Sequence, residues 1–416
     1  MTTVGADLAA ATAPLVVARD GAECVLGRPD LGLFVTVPEP GAVFVEALQS
    51  GASLAEATDA ATAAAGEPVD GADFVATLTA AGLLDPVATQ PDADPDGEAS
   101  PIRGRRQRPI RWIEGVDPAV ARRFFGRPAW IGYGSAAAIA VVLLVARPEL
   151  RPSFESVWFL SDPLLSLLAL LPLSLLFNAL HEMWHWLAGR ALGIPAIFRF
   201  SYRGVYVVFE TDLSQIVTVP RRRRYGPFLA GMAVDSTVLA VVLLVRLAYL
   251  RQLVELPPLL DRVLAALVLN QVISLVWQFG AVFLRSDMYA VLANALRCTN
   301  LYRVTWLTTK NRLWRLSDDD RAELAAASSR DRTVARWFGV VYLVGIGAMC
   351  WLFLTFNLPI VLSMLVYVGG NLVVPSAHSV PFWESAAVSL YFLVVYGTPG
   401  LLALRERRLR RKGLLL

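Results

Sequence analysis

Charged residues are scarce in this sequence of 416 residues, at 18%, and histidine and cysteine are scarcer still, with three of each. A soluble domain carries about 25% charged residues, whereas 56% of this chain is hydrophobic and its mean hydropathy is +0.52. Cys24, Cys298 and Cys350 are widely spaced with no CxxC, so neither a disulfide framework nor a thiolate zinc site is supported. Scarce charge and long apolar runs together predict an integral membrane protein.

Acidic and basic residues are unevenly distributed, although the formal net charge is only +3. Acids concentrate in roughly the first hundred residues, whereas basic clusters such as the one at 221–224 flank apolar segments. Such flanking arginines are typical of membrane topology and of contact with anionic lipid. The acidic N-terminal region has few lysines or arginines, so nucleic acid is not an expected partner.

The first 88 residues lack both an apolar run long enough to cross a bilayer and a secretory signal pattern, which predicts a soluble cytosolic domain. Ser53 is the expected N-cap of its second helix, with Glu56 completing a capping box, and Gly82 is expected to end the third helix. This order of elements predicts a small α+β winged-helix-like domain over residues 1–88. The predicted strands are 15–18, 23–26 and 31–37, and the predicted helices are 40–49, 53–65 and 70–81.

Residues 89–128 are predicted to be a linker and juxtamembrane segment, because TQPDADPDGEAS at 89–100 is acidic, proline-rich and devoid of large apolar residues. Residues 129–416 are predicted to form a mainly α-helical, polytopic membrane domain. A bilayer requires about 20 apolar residues for each helix that crosses it. The six candidate spans are 129–146, 163–192, 228–250, 259–284, 335–356 and 382–404.

A seventh apolar segment, 358–374, is interrupted by Gly369-Gly370-Asn371. Counting it as a span places the basic C-terminal tail outside, whereas six spans leave both termini and the arginines at 221–224 in the cytoplasm. We therefore expect a multi-pass protein of the cell membrane, with 358–374 re-entrant or packed at the outer face.

Two of the three histidines fall in one motif, His181-Glu182-Met183-Trp184-His185, an HExxH within the second predicted span. Helical residues four apart share a face, so both imidazoles can reach one tetrahedral Zn2+ while Glu182 lies beside the open position. Glu182 is then the candidate general base, which passes a proton from water to the leaving amine. The alternative is a helix with two packed histidines, but an ionisable residue at hydrocarbon depth costs about 2.5 kcal/mol or more unless it is paired or ligated.

A hydrolytic zinc site normally uses a third protein ligand, and the remaining histidine, His378, belongs to the predicted outer loop. A carboxylate must then supply the ligand, and Asp287, which follows the fourth span, is the best candidate. The second and fourth spans both descend to the cytoplasm in the six-span topology, so Asp287 is expected at the depth of the HExxH motif. A helix cap or an ion pair with Arg285 is the alternative role for Asp287.

These residues resemble the intramembrane site-2 protease family of zinc metallopeptidases, and most closely its branch of peptide zinc metalloproteases. The resemblance covers about residues 164–304 and includes HExxH, a turn at Gly193-Ile194-Pro195, a basic PRRRR run, Ala230-Gly231 and a late aspartate. It implies zinc bound by His181, His185 and Asp287, with Glu182 as the catalytic base.

The late motif of that branch reads roughly N-P-x-x-R-x-D-G-Y, and Arg285, Asp287 and Tyr289 match it. The chain departs from the family at Ala281-Val282 in place of Asn-Pro, at Met288 in place of Gly and at Met232 in place of the Pro of A-G-P. Asp235 occupies the Asn/Asp position after A-G-P. The resemblance implies substrate-positioning roles for Asp235, Arg285 and Tyr289; for Asp235, orientation of a metal ligand or a plain interhelical hydrogen bond remains open.

Strand-forming residues with a glycine kink occupy 199–208, between the second and third spans, and predict either a β-hairpin beside the metal or a short amphipathic loop. A strand edge there can hold an extended substrate by strand addition, and helical peptide bonds must unwind before hydrolysis.

The N-terminal domain resembles, in the layout of its elements, the PqqD-like peptide-recognition domain of pathways that make ribosomally synthesised, post-translationally modified peptides. That resemblance implies that a precursor leader adds a strand along 31–37 and packs on the helix at 70–81. A regulatory or oligomerisation module is the alternative for this domain, and the sequence leaves the oligomeric state open. We therefore expect an intramembrane zinc endopeptidase that removes the leader from a modified peptide. The alternatives are a regulatory protease that cleaves a membrane-anchored signalling protein and a non-catalytic peptide export or immunity protein.

Overall fold

The computed structural model describes residues 3–20, 23–29, 31, 33–84, 116–194, 196–203, 206–373, 379–390, 393, 397, 404 and 408. Most of the predicted linker, His378 and about half of the sixth predicted span therefore lie outside the described residues. The described chain is mainly helical and divides into two compact units. The first comprises Met1–Gln107, Leu192–Ala196 and Asp212–Arg224, and the second comprises Arg108–Ala191, Ile197–Thr211 and Tyr225–Leu416.

The first unit contains the three-stranded antiparallel sheet and three helices that the sequence predicts, with a further N-terminal helix. Its order is α1 (Thr3–Thr12), β1 (Val16–Asp20), β2 (Glu23–Arg28), β3 (Leu33–Pro38), α2 (Glu39–Gln49), α3 (Leu54–Ala65) and α4 (Gly71–Ala80). Strand β2 is central and Leu26 pairs with Val35 of β3. Ser53 and Glu56 form the predicted capping box, and Gly82 lies at φ +73° after α4.

Helix α1 was not predicted, because its alanine-rich sequence has little amphipathic pattern. Tertiary contacts explain its place: Leu8 is buried in the core of the unit, and Gln49 of α2 donates hydrogen bonds to the carbonyls of Thr12 and Leu15 at 2.9 and 2.8 Å. The core contains Leu26, Phe44, Val45, Leu48, Leu78 and Leu83, and Phe44 meets Phe74 edge to face.

The first unit also includes a short 3-10 helix, Ser214–Thr218, which lies far from the sheet in sequence. This helix contacts β1 and β2. Gln215 donates from Nε2 to the carbonyl of Pro29 at 3.3 Å. The first unit is therefore extended by a segment that was predicted to belong to the membrane domain.

The second unit is built from long apolar helices, and five of them meet the length and composition needed to cross a membrane. Its elements, in chain order, are α5 (Pro118–Arg123), α6 (Arg127–Ala146), α7 (Pro163–Ala191), β4 (Ile197–Arg203), β5 (Tyr206–Asp212), α8 (Arg221–Leu250), α9 (Pro258–Gly280), α10 (Asp287–Ala295), α11 (Leu301–Leu313), α12 (Asp318–Ala326), α13 (Ser329–Leu352) and α14 (Leu358–Val373). The five apolar helices, α6, α7, α8, α9 and α13, agree with the predicted mainly α-helical membrane protein. Exposed apolar side chains on them, such as Ile131 at 71% and Val344 at 65%, suit contact with lipid.

Two predicted boundaries need correction. The third predicted span, 228–250, starts too late: helix α8 begins at Arg221, so the basic cluster that flanks the apolar run forms its first turn. Helix α9 ends at Gly280 and is followed by a 3-10 turn, Val282–Leu284, because the chain reverses toward α10 through Arg285 at φ +64°.

Residues 358–374 were predicted to be re-entrant or packed at the outer face. Helix α14 follows α13 through a π-helical turn, Phe353–Asn357, and continues through Gly369-Gly370-Asn371. The glycine pair therefore does not break the helix, and whether the segment spans the membrane stays a prediction.

Candidate metal centre

The two histidines of the HExxH motif lie near the C-terminal end of α7, on one face of the helix. Their Nε2 atoms are 3.1 Å apart, and both side chains are buried, with 5% of each residue exposed. Trp184, between them in sequence, donates from Nε1 to the hydroxyl of Tyr133 on α6 at 3.1 Å, which fixes the rotation of α7. The spacing of four residues thus brings the two ring nitrogens together, as helix geometry requires.

The other ring nitrogen of each histidine is held by an acceptor on α8. His185 donates from Nδ1 to the carbonyl of Pro227 at 2.6 Å, and His181 donates from Nδ1 to Asp235 Oδ2 at 2.8 Å. A carbonyl can only accept, so Nδ1 of His185 carries the proton and its Nε2 keeps a lone pair. Such second contacts orient histidine ligands in metal sites and fix their tautomer.

Asp287, in the first turn of α10, completes a triangle of acceptor atoms. Its Oδ2 lies 2.9 Å from His181 Nε2 and 3.0 Å from His185 Nε2. A tetrahedral zinc site with bonds of about 2.0–2.1 Å has ligand–ligand edges of about 3.3–3.4 Å, close to this spacing. Three converging acceptors repel one another unless a proton or a metal ion lies among them, so the chemistry of the donor set fits a divalent cation.

A glycine on α8 makes room for this triangle. A Cβ at Gly231 would lie 2.4 Å from His181 Nε2 and 2.5 Å from His185 Nε2, far inside van der Waals contact. Only glycine lets the backbone of α8 approach the two ring nitrogens so closely. The Ala230-Gly231 pair, noted in the sequence, is therefore explained by close approach to the histidines.

Glu182 and the hairpin of β4 and β5 meet at Thr211. The Thr211 amide donates to Glu182 Oε2 at 3.0 Å, and the Thr211 hydroxyl donates to the main-chain carbonyl of Glu182 at 2.8 Å. Ligand atoms of Glu182, His181 and His185 lie within 4.8 Å of one another. The hairpin that the sequence offered as one of two possibilities is present, and its second strand contacts the candidate base.

The three predicted substrate-positioning residues, Asp235, Arg285 and Tyr289, each contact other residues of the second unit. Asp235, with 2% of its surface exposed, also accepts from Ser274 of α9 at 3.0 Å, so it bridges three helices. Arg285 lies over the ring of Tyr302, 5.3 Å from its centroid. The carboxylate of Asp287 lies at the two histidines, so the alternative of an ion pair between Asp287 and Arg285 is not found among the described contacts.

Tyr289 belongs to the packing of α10 against α11. Its hydroxyl accepts from the amide of Tyr302 at 2.8 Å, and its ring packs against Phe338. Burial raises the pKa of Tyr289 to about 12, so the phenol stays protonated at neutral pH. Its contacts are those of a scaffold residue.

Sequence reasoning missed Thr211, Pro227, Ser274 and Gln278, all of which contact the site residues. Ser274 and Gln278 could have been found from the sequence, because they are polar residues within a predicted span and polar side chains in spanning helices usually have a partner. Comparison with known proteins adds no relative: no family model, curated protein or solved structure matches this chain.

Proposed function

We propose that this chain is a membrane-embedded zinc endopeptidase. The observation that carries the proposal is the convergence of His181 Nε2, His185 Nε2 and Asp287 Oδ2 at separations of 2.9, 3.0 and 3.1 Å. Two imidazoles and one carboxylate are a donor set found in hydrolytic zinc sites, where a fourth position stays free for water or substrate. The position of Glu182 next to this set is the second requirement for hydrolysis.

In the proposed hydrolysis, the metal ligands, Glu182 and Thr211 have separate roles. Zinc, when bound by His181, His185 and Asp287, supplies Lewis acidity for amide hydrolysis. Glu182 removes a proton from the attacking water while the water oxygen forms a bond to the carbonyl carbon of the peptide. Glu182 then returns that proton to the amide nitrogen as the C–N bond breaks. The Thr211 amide orients the carboxylate of Glu182, because it donates a hydrogen bond to Oε2 at 3.0 Å.

Strand β5 supports a role for the hairpin in substrate binding. Thr211 places the end of this strand against Glu182, so a peptide that adds along the hairpin passes the base in an extended conformation. Extended backbone exposes the carbonyl carbon that a helix shields.

The substrate that we propose is the precursor of a ribosomally synthesised, post-translationally modified peptide, from which the enzyme removes the leader. Among the described strands, β3 is paired on one side only, and Val37 of β3 and Phe74 of α4 belong to the same apolar core, where both lie close to Gly41 of α2. A leader can therefore add to the free edge of β3 and pack its side chains toward α4. In this proposal both termini are cytoplasmic and the site acts at the cytoplasmic side of the cell membrane.

The test is metal analysis and proteolysis with the purified full chain, using the short peptide encoded beside its gene. We expect one zinc per chain in the wild type and large losses of zinc in His181→Ala and Asp287→Ala. Glu182→Gln should keep zinc but lose about 10²–10⁴-fold in turnover, because the nearly isosteric amide cannot accept the proton of water.

Stoichiometric zinc in Asp287→Ala would reject the third ligand, and wild-type turnover in Glu182→Gln would reject the base. A wild type that holds zinc and binds the peptide without cleaving it would favour the non-catalytic alternative. Cleavage of a membrane-anchored protein, with the peptide left intact, would favour the signalling protease.

A further inference from the structure

Helix α9 carries two polar side chains, Ser274 and Gln278, that reach opposite sides of the candidate metal centre. Ser274 Oγ donates to Asp235 Oδ2 at 3.0 Å, and the same oxygen accepts from His181 Nδ1 at 2.8 Å. The hydroxyl therefore helps to hold the carboxylate that orients one of the two histidines. No other role for Ser274 is visible in the contacts of the described residues.

Gln278 acts on the other carboxylate through the backbone. Its side-chain Oε1 accepts from the amide of Asp287 at 3.0 Å, and its main-chain carbonyl accepts from the hydroxyl of Ser286 at 2.8 Å. Ser286 and Asp287 begin α10, and Ser286 does not cap that helix with its own side chain. Gln278 thus fixes the start of the helix that delivers the Asp287 carboxylate.

The spacing of the two residues places both contacts on one face of one helix. Ser274 and Gln278 are four residues apart, so their side chains follow one another by one turn. Most residues of α9 are apolar, with a mean hydropathy of 1.8 over its most apolar stretch, although the helix also contains polar residues such as Asn270 and Gln271. Polar side chains are retained in such a helix where they hydrogen-bond across helices, since packing alone is served by alanine or leucine.

We propose that Ser274 and Gln278 are positioning residues of the metal centre. Ser274 sets the orientation of His181 through Asp235, and Gln278 sets the position of Asp287. Because both residues belong to helix α9, this helix holds the imidazole of His181 and the carboxylate of Asp287 at the separation that a metal ion requires. This inference rests on the proposed function, because it concerns ligands of the proposed zinc.

The test is the zinc affinity of the purified full chain, measured in detergent by competition with a chelator. Ser274→Ala and Gln278→Met should each weaken zinc binding by about 10–100-fold, the usual effect of removing a contact that orients a ligand. Ser274→Thr keeps the hydroxyl and should restore affinity to near the wild-type value. Spectra of the Co2+-loaded protein should show a distorted ligand field in Ser274→Ala and Gln278→Met but not in Ser274→Thr.

Asn270→Ala is the matched control, because Asn270 Oδ1 accepts from Ser174 of α7 at 2.8 Å on the same helix, in a contact that does not include a ligand or Asp235. This variant should lower thermal stability without changing zinc affinity. Zinc affinities in Ser274→Ala and Gln278→Met that equal those of the wild type or of Asn270→Ala would overturn the inference while leaving the metal site intact. A wild type that binds no zinc would overturn the metal site, and the inference with it.

Discussion

The two units of this protein differ in the side chains that they expose and in the polar side chains that they bury. In the first unit the largest buried side chains are apolar, with Phe44, Leu26 and Leu48 all at 0% exposure. In the second unit apolar side chains such as Leu176 at 62% point outward, whereas His181 and Asp235 are buried. Water drives apolar groups inward in a soluble domain, but lipid is as apolar as leucine, so the interior of a membrane helix bundle is free to hold polar groups.

This difference shows where chemistry can be placed in each unit. A buried polar group is stabilised by a hydrogen-bond partner in either setting. In the second unit such hydrogen bonds converge on His181, His185, Asp235 and Asp287. In the first unit Ser53 and Glu56 form a capping box at a helix end, and the buried Arg28 donates to the carbonyl of Leu83 at 3.1 Å. The interior of the second unit therefore contains the candidate metal centre, whereas the core of the first unit is mainly apolar.

The largest effect is expected from adding one methyl group inside the second unit. Gly231→Ala places a Cβ 2.4 Å from His181 Nε2, so the ligands cannot stay together, and zinc affinity should fall by more than about 100-fold, beyond the effect of losing one orienting contact. Gly132→Ala, on α6, is the matched control, because no atom lies within 4 Å of a Cβ there. Metal analysis of both proteins checks the prediction, and equal zinc contents would contradict the close approach of α8.

A smaller effect is expected when the first unit is blocked while the second is left intact. An excess of the isolated leader segment should raise the KM for the precursor by about 10²-fold or more at unchanged kcat, because a docked leader raises the effective concentration of the attached cleavage site. Competition is sharper than truncation here, since Ser214–Thr218 belongs to the first unit and would lose its contacts with β1 and β2.

Cleavage of a precursor that lacks its leader provides the control, and the competing segment should leave its rate unchanged. A scrambled leader should compete with neither substrate. If the authentic leader fails to raise KM, the first unit is regulatory or serves in oligomerisation, and the proposal shifts to the signalling protease.

The smallest effects concern stability, and they contrast matched leucines. Leu48→Ala, at 0% exposure in the first unit, should lower the free energy of unfolding of that unit by about 2–5 kcal/mol, because it leaves a cavity in a core that the hydrophobic effect stabilises. Leu176→Ala, on the outer surface of α7, should change stability by no more than about 0.5 kcal/mol. Hydrogen exchange of the full chain, read separately over each unit, measures both. A large loss at Leu176 would show that its surface is packed against protein instead of lipid.

Local sequence signals predicted much of the first unit because capping and turn residues act within a few positions. Ser53 and Glu56 lie three residues apart, so the start of α3 was determined locally. Helix α1 has no such signal, and its place depends on contacts with α2, such as those of Gln49, which lies more than thirty residues away in sequence. The same limit applies to Ser214–Thr218, whose partners are strands near the N-terminus.

The candidate ligands could be predicted from local sequence: helix periodicity places His181 and His185 on one face, and the scarcity of other histidines leaves a carboxylate as the candidate third ligand. The sequence also determined the apolar helices, since hydropathy is a local property. Only the tertiary structure decided that Asp235 orients His181, that Thr211 holds Glu182, and that α9 contacts both carboxylate-bearing segments. The reason is physical: hydrogen bonds between helices depend on the rotation and depth of each helix, and these are set by packing among all of them.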